Sequence, residues 1–283
     1  MTIRKVGGLL VLMFLPLVAS LSVEAYDPDT HGEIAKRTAE PTVSSVDQVL
    51  RSELGLDPGV NETFLGRSVR ALIRDGAVLE DDPSTRSWNH FHNPLIDPWQ
   101  QAGLNASFLG LSGRGQSSAL WQQNLDQETT IVNTPLARQA GGGNWSWQRA
   151  RQEFLEALRG ATPADRETRF ANTFLALGHL THLIQDASVP AHVRNDPHPL
   201  YEGYESWVGT YRQGGTDRRG RDRRSVFLSL LNQPSTSPTL SLNAPTGNMQ
   251  APVPVARLID ANVFGGLNVD ALAGTGQGIC IRE

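Results

Sequence analysis

Two residues of metal-binding type, His182 and Asp186, lie four positions apart near the end of a long segment with helical periodicity. Side chains at positions i and i+4 of an α-helix project from the same face, one turn apart. Apolar residues at helical spacing predict that this helix begins at Pro163 and continues through Ile184. Another histidine, His192, follows shortly afterwards. The spacing therefore predicts a helix that presents an imidazole and a carboxylate together on one face.

Helical patterns also dominate the rest of the sequence. Asp75 and Gly76 are predicted to end one helix, and residues 80–145, rich in Gly, Asn, Pro and Ser, predict long loops with short helical turns. No run with a period of two residues predicts a strand. The remaining predicted helices are one that Asp29 or Thr30 caps, Ser44–Leu54, Phe64–Ile73, Trp145–Leu158 and one from near His198 through Trp207. The pattern predicts an all-α fold, a single compact multi-helix domain.

The first 25 residues have the features of a secretory signal peptide. A basic pair precedes an apolar run at residues 6–18, which is too short to favour a membrane span, and Ala25 ends a small-residue motif of the kind that signal peptidase cleaves. We predict cleavage after Ala25, which would make Tyr26 the first mature residue of a secreted or periplasmic protein. A retained anchor, or cleavage nearer Ala19, is the alternative.

The rest of the chain, residues 26–283, is long enough for one domain. Its core is expected at residues 26–212, and residues 213–283 form a C-terminal part of different composition. The formal charge of −4 argues against a protein of duplex DNA, which favours a basic surface. The single cysteine, Cys280, excludes an intramolecular disulfide, so bound metal is one candidate for stabilising an exported chain.

Other histidines and carboxylates also occur at spacings that suit metal binding. His198 and Glu202 repeat the i, i+4 spacing. His31 lies close to the expected mature terminus, and a short loop separates Asp81 from His90. Imidazole and carboxylate together are a ligand set that zinc accepts where thiolates are absent. Clusters of such metal ions promote the hydrolysis of phosphate esters.

Three segments carry a resemblance to a known family. Residues 182–192 read His-Leu-Ile-Gln-Asp-Ala-Ser-Val-Pro-Ala-His and resemble the H-x-x-x-D-x-x-x-P-x-H signature of the zinc-dependent phospholipases C. Residues 76–83, with Asp81, resemble the Gly-Ala…Asp segment of that family, and residues 90–94 resemble its His-Phe-Tyr-Asp-Pro segment. The resemblance covers residues 26–210.

The same superfamily contains fungal single-strand nucleases, and the expected mature terminus is similar to theirs. Their mature chain begins with a tryptophan, and a histidine that binds metal follows five residues later. Tyr26 and His31 have the same separation. Because the tryptophan of the family binds metal through its backbone, tyrosine is an acceptable replacement.

Carried over residue by residue, the resemblance implies three zinc ions. The first would bind Asp81, His90, His182 and Asp186; the second the Tyr26 amino nitrogen and carbonyl, His31 and the bridging Asp186; and the third His192, His198 and Glu202.

The resemblance implies hydrolysis of a phosphodiester, with Asp81 accepting or orienting the proton of the nucleophile. A phospholipase C would act on phospholipid at a membrane surface, as a peripheral protein, and would release diacylglycerol and a phosphorylated headgroup. The alternatives are a single-strand nuclease or 3′-nucleotidase and a non-catalytic zinc-binding protein. An acidic chain without an aromatic and basic strand-binding tract disfavours the nuclease. No protein partner is implied.

Two further histidines, His179 and His92, have alternative interpretations. Each is a possible metal ligand, but the spacing of the family selects His182 over His179, and His92 stands where the family has an aromatic residue. His179 is therefore interpreted as a packing residue or as a support for a ligand, and His92 as a pocket wall or a support. Trp145 and Trp147 are interpreted as helix-core packing rather than as a functional aromatic patch.

Overall fold

The computed structural model describes residues 26–108, 111–128, 131–132, 138–139, 141–197, 203–232, 242–244 and 247–249. These residues are mostly helical, so the protein belongs to the expected all-α class. The α-helices are α1 (Pro28–Thr38), α2 (Val46–Ser52), α3 (Val69–Leu79), α4 (Ser118–Trp121), α5 (Trp147–Arg159), α6 (Pro163–Asp186), α7 (Pro190–Arg194), α8 (Gly203–Gln213) and α9 (Arg223–Leu231). Short 3₁₀ helices lie at Gly59–Asn61, Ser84–Asn89 and Trp99–Gln101.

Although no run in the sequence predicts a strand, short strands pair in local antiparallel hairpins. The first hairpin turns at Leu65 and Gly66, both with positive φ, which suits a two-residue turn between twisted strands. Strands this short leave no alternating pattern in the sequence. The strands are β1 (Thr63–Phe64), β2 (Arg67–Ser68), β3 (Asn105–Phe108), β4 (Leu111–Arg114), β5 (Ile131–Val132), β6 (Arg138–Gln139), β7 (Leu242–Ala244) and β8 (Gly247–Met249).

Helix α3 begins and ends later than the sequence predicts. Ser68 caps its N-terminus by accepting a hydrogen bond from the Ala71 amide, and the helix continues through Gly76 to Leu79. Gly76 does not end the helix, because its missing side chain serves packing instead. A Cβ at this position would lie 2.0 Å from the Leu175 carbonyl oxygen of α6.

Helix α6 is the longest helix of the described chain and agrees with the prediction in both its beginning and its end. Thr162 caps it, Pro163 occupies its first turn, and Asp186 is its last residue. Gly178 lies at the contact with α3, where a Cβ would meet the Ile73 carbonyl oxygen at 2.2 Å. Two glycines therefore let the backbones of α3 and α6 approach closely, four residues before His182.

The largest hydrophobic core lies beside this contact and fixes the helices that carry the predicted ligands. It joins α1, α2, α3 and α6, and its buried members are Ala35, Ala39, Leu50, Val60, Phe64, Val69, Leu72, Ile73, Ala77, Ala171 and Phe174. None of the helices in the part of the chain that the structure describes is long and apolar enough to cross a membrane.

The close contact between α3 and α6 predicts an unusual sign for Gly178→Ala. In a helix interior this change normally stabilises by about 1 kcal/mol. Here the new methyl group would meet backbone atoms, so we expect the free energy of unfolding to fall by roughly 1–3 kcal/mol. Urea denaturation measures this. Gly32→Ala is the comparison, because the nearest atoms there, Val78 Cγ2 at 2.8 Å and Arg74 Cγ at 3.3 Å, belong to side chains rather than to the backbone. Stabilisation by Gly178→Ala would contradict the contact.

Candidate metal centre

Buried imidazoles and carboxylates from several elements meet at the C-terminal end of α6. The segment that follows α3, with the 3₁₀ helix Ser84–Asn89, brings two of these residues, and α1 and α7 bring one each. Six of the predicted ligands form this group, all of them buried: His31, Asp81, His90, His182, Asp186 and His192.

Asp186 lies at the middle of the group. Its Oδ2 is 3.0 Å from Nδ1 of His90 and 3.3 Å from Nε2 of His182, and its Oδ1 is 3.4 Å from Nε2 of His31. Neither oxygen accepts a hydrogen bond from any residue that the structure describes. Nitrogen and oxygen atoms that approach one another without hydrogen-bond geometry leave their lone pairs available to a cation.

Asp81 adds a second carboxylate beside the same imidazoles. Its Oδ1 is 3.4 Å from Nδ1 of His90 and 3.7 Å from Nε2 of His182. Two triads have ligand atoms that all lie within 4.8 Å of one another, namely His31 with Asp81 and His182, and His90 with His182 and Asp186. These buried clusters could bind a metal ion.

Hydrogen bonds on the far side of two histidines orient their rings. Nδ1 of His31 is 2.8 Å from Oε1 of Gln185, and Nδ1 of His182 is 2.7 Å from the Ala77 carbonyl oxygen. An acceptor at Nδ1 favours the tautomer that carries its proton there, so Nε2 is left unprotonated and faces the carboxylates. The two rings stack with centroids 3.6 Å apart.

Tyr26, a predicted ligand through its backbone, lies next to His31. Its backbone nitrogen is 3.2 Å from Nε2 of His31, and the side chain is buried. The tyrosine hydroxyl lies 3.3 Å from the hydroxyl of Tyr204 on α8. The backbone of Tyr26 is therefore at the edge of the cluster.

The predicted third site is described only in part, because His198 and Glu202 lie outside the described residues. Nδ1 of His192 is 3.1 Å from the His90 carbonyl oxygen, and its Nε2 is 3.7 Å from Oε1 of Glu205. Sequence reasoning missed Glu205, because the i, i+4 spacing from His198 favoured Glu202. The structure brings Glu205 to the side of His192 that faces away from Asp186.

The cluster shifts the pKa values of Asp186 and of His90. Burial alone would raise the pKa of Asp186, but the neighbouring imidazoles of His182, His192 and His90 hold it well below its usual range. Burial would lower the pKa of His90, but contacts with Asp186, Glu80 and Asp81 outweigh it and raise the pKa to about 10. Without a cation, positive charge on an imidazole therefore balances the buried carboxylates.

The pKa values of His31 and His182 shift in opposite directions. Burial and the adjacent ring of His182 hold the pKa of His31 well below its ordinary value. Burial would lower the pKa of His182 as well, but Asp186 and Asp81 raise it. The neutral form of His31 is the form that binds metal.

His179 and His92 lie outside the group of ligand atoms. Nδ1 of His179 is 2.5 Å from Oε2 of Glu80, and its ring stacks on Trp145 with centroids 4.9 Å apart. Nδ1 of His92 is 2.8 Å from Oγ of Ser117. Glu80 and Gln185, which contact the histidines from outside, were not found from the sequence, because their role depends on how α3 and α6 cross.

Comparison of the chain with models of known families, with curated proteins and with solved structures gave no match. The interpretation of the site therefore depends on its own geometry and on the resemblance of its motifs.

Asp186→Asn should lower zinc affinity by more than about 100-fold, because it removes the carboxylate that three imidazoles approach; loss of a supporting contact alone typically costs 10–100-fold. Zinc content by elemental analysis and the zinc-dependent rise in Tm measure this. Glu202→Gln should lower zinc affinity less, because Glu202 would bind one ion only.

Asp222→Asn is the control for Asp186→Asn. Asp222 is an exposed residue that caps α9, and it has no contact with the cluster. If Asp186→Asn kept the zinc content of the unchanged protein, Asp186 would not be a ligand.

Proposed function

We propose that the protein is an exported zinc-dependent phosphodiesterase that acts on phospholipids as a phospholipase C. The observation that carries the metal-dependent part is the buried approach of His31, His90 and His182 to Asp186, whose oxygens accept no hydrogen bond from the described residues. The choice of phospholipid comes from the resemblance of residues 182–192 and 90–94 to the phospholipase family.

Zinc fits these donors because they are imidazoles and carboxylates and because the only thiol in the sequence is Cys280. In the proposal, Asp81, His90, His182 and Asp186 hold one ion; the Tyr26 backbone, His31 and Asp186 a second; and His192, His198 and Glu202 a third. Glu205 is a further candidate for the third ion, since it faces His192.

Bound zinc would polarise the phosphodiester and make water a stronger nucleophile at neutral pH. Asp81 is the proposed group that accepts or orients the proton of that water. Its Oδ1 lies beside the ring nitrogens of His90 and His182 that would hold the first ion. Asp186 remains an anion among imidazoles and holds their positions.

A second candidate function, a single-strand nuclease or 3′-nucleotidase, is favoured by a row of aromatic rings beside the cluster. The ring centroids of Tyr26 and Tyr204 are 5.9 Å apart, those of Tyr204 and Trp207 6.5 Å, and those of Trp207 and Tyr211 4.6 Å. Trp207 is 52 % exposed. Exposed aromatic rings in a row can stack on successive bases of a single strand.

Arginine lies at the far end of this row. The guanidinium of Arg223 is 5.9 Å from the ring centroid of Tyr211. Residues 203–224 contain six arginines and three carboxylates, although the whole chain is acidic. The sequence shows no continuous aromatic and basic tract, because these rings come from two distant segments and from helical spacing along α8.

A side-by-side assay with phosphatidylcholine, phosphatidylinositol and single-stranded DNA decides between these functions. We expect release of diacylglycerol and phosphorylated headgroup, loss of turnover after chelation and recovery with zinc. Trp207→Ala, which changes no proposed ligand, should leave turnover of a short-chain soluble phospholipid unchanged. A preference for DNA that Trp207→Ala lowers would instead support the nuclease. No turnover of any substrate by zinc-loaded protein would leave the non-catalytic alternative.

If the signal is cleaved after Ala25, the free amine of Tyr26 should complete the second site. We expect protein that begins at Tyr26 to bind one zinc more per chain than protein that retains an additional methionine before it, because the extra residue displaces the amine from His31. Tyr26→Trp should be nearly silent, since the backbone atoms are the ligands. Equal zinc content and equal phosphodiesterase rates in the processed and extended proteins would exclude the amine as a ligand.

A further inference from the structure

A fully buried carboxylate, Glu80, lies outside the proposed ligand set and directly beside it. It directly follows the last residue of α3, as the C-cap of that helix and immediately before Asp81, and it is 0 % exposed. A buried carboxylate is unfavourable unless hydrogen bonds and opposite charge compensate it. Its contacts therefore indicate what keeps it in place and what it acts on.

Strong donors surround this carboxylate. Nη2 of Arg86 donates to Oε2 of Glu80 at 2.7 Å, and Nε1 of Trp121 donates to Oε1 at 2.9 Å. Nδ1 of His179 lies 2.5 Å from Oε2. Arg86 is itself fixed, because its Nη1 also donates to the carbonyl oxygens of Gly141 and Gly143. The position of the Glu80 carboxylate is thereby determined from several directions.

The ring of His90 also lies beside Glu80. Oε1 of Glu80 approaches Nε2 of His90 to 3.5 Å, and neither ring nitrogen of His90 has a hydrogen bond to any described residue. The other ring nitrogen of His90, Nδ1, is 3.0 Å from Asp186 and 3.4 Å from Asp81. His90 therefore lies between two groups of carboxylates, one at each ring nitrogen.

Glu80 differs from the groups that orient the neighbouring histidines. His31 contacts the neutral amide of Gln185, and His182 contacts the neutral carbonyl of Ala77. An anionic partner on the far side of an imidazole fixes the proton there and makes the opposite nitrogen a better metal ligand. A buried ion pair such as Glu80–Arg86 adds little net stability compared with packed apolar side chains, so stability alone is a weak reason for it.

We propose that Glu80 is a positioning residue for the metal centre: its carboxylate holds the proton of His90 on Nε2, so that Nδ1 faces Asp81 and Asp186 as the metal ligand. This inference rests on the proposed metal binding. Arg86, Trp121 and His179 fix Glu80, and through Arg86 they join the loop at Gly141 and Gly143 to the centre.

Glu80→Gln tests the proposal, because it keeps the size and removes the charge. We expect zinc affinity, measured by competition with a chromophoric chelator, to fall about 10–100-fold, with full occupancy restored at high zinc. The visible spectrum of the cobalt-substituted protein should change as well. Glu153→Gln is the matched control, since Glu153 is a buried carboxylate paired with Arg149 and Arg169. It should lower the Tm of the metal-free protein without changing zinc affinity.

The outcomes separate this inference from the proposed function. If Glu80→Gln lowers only the Tm and leaves zinc affinity unchanged, Glu80 is merely structural and the inference is wrong. If the unchanged protein binds no zinc, the proposed function fails together with it. Even if Glu80→Gln does not fold, ¹⁵N NMR of the zinc-loaded wild-type protein shows which ring nitrogen of His90 carries the proton. We expect a proton on Nε2 of His90, and a proton on Nδ1 would overturn the proposal.

Discussion

The buried carboxylate of Asp186 is the group around which the candidate metal centre is arranged. An ionised carboxylate without compensation is strongly unfavourable in a protein interior. Around Asp186 the compensation comes from His31, His90 and His182, which belong to separate elements of the described chain. Each element must therefore reach the end of α6, and protons or a cation must balance the charge that gathers there.

The contact between α3 and α6 makes this arrangement possible. Gly76 and Gly178 remove the side chains that would keep the two backbones apart. Their close approach places the Ala77 carbonyl oxygen 2.7 Å from the ring of His182. The same packing that forms the core thus orients a proposed metal ligand, so stability and the proposed metal binding depend on the same few residues.

Much of this arrangement can be predicted from the sequence where the signal is local. The i, i+4 spacing of His182 and Asp186 and the capped start of α6 describe one helix, and the structure agrees with them. The predicted end of α3 is wrong, because the sequence does not distinguish a glycine that allows close helix packing from a glycine that ends a helix. The contacts of Glu80 and Glu205 depend on tertiary packing, and no local spacing indicates them.

Anomalous diffraction from crystals of the protein, recorded at the zinc absorption edge, tests the central claim most directly. We expect anomalous peaks beside Asp186, about 2.0–2.2 Å from the nearest imidazole nitrogen and carboxylate oxygen atoms, with Nδ1 of His90 and Nε2 of His182 directed at one of them. The absence of a peak at Asp186 in crystals grown with zinc, with imidazolium hydrogen bonds to its carboxylate instead, would contradict a metal centre.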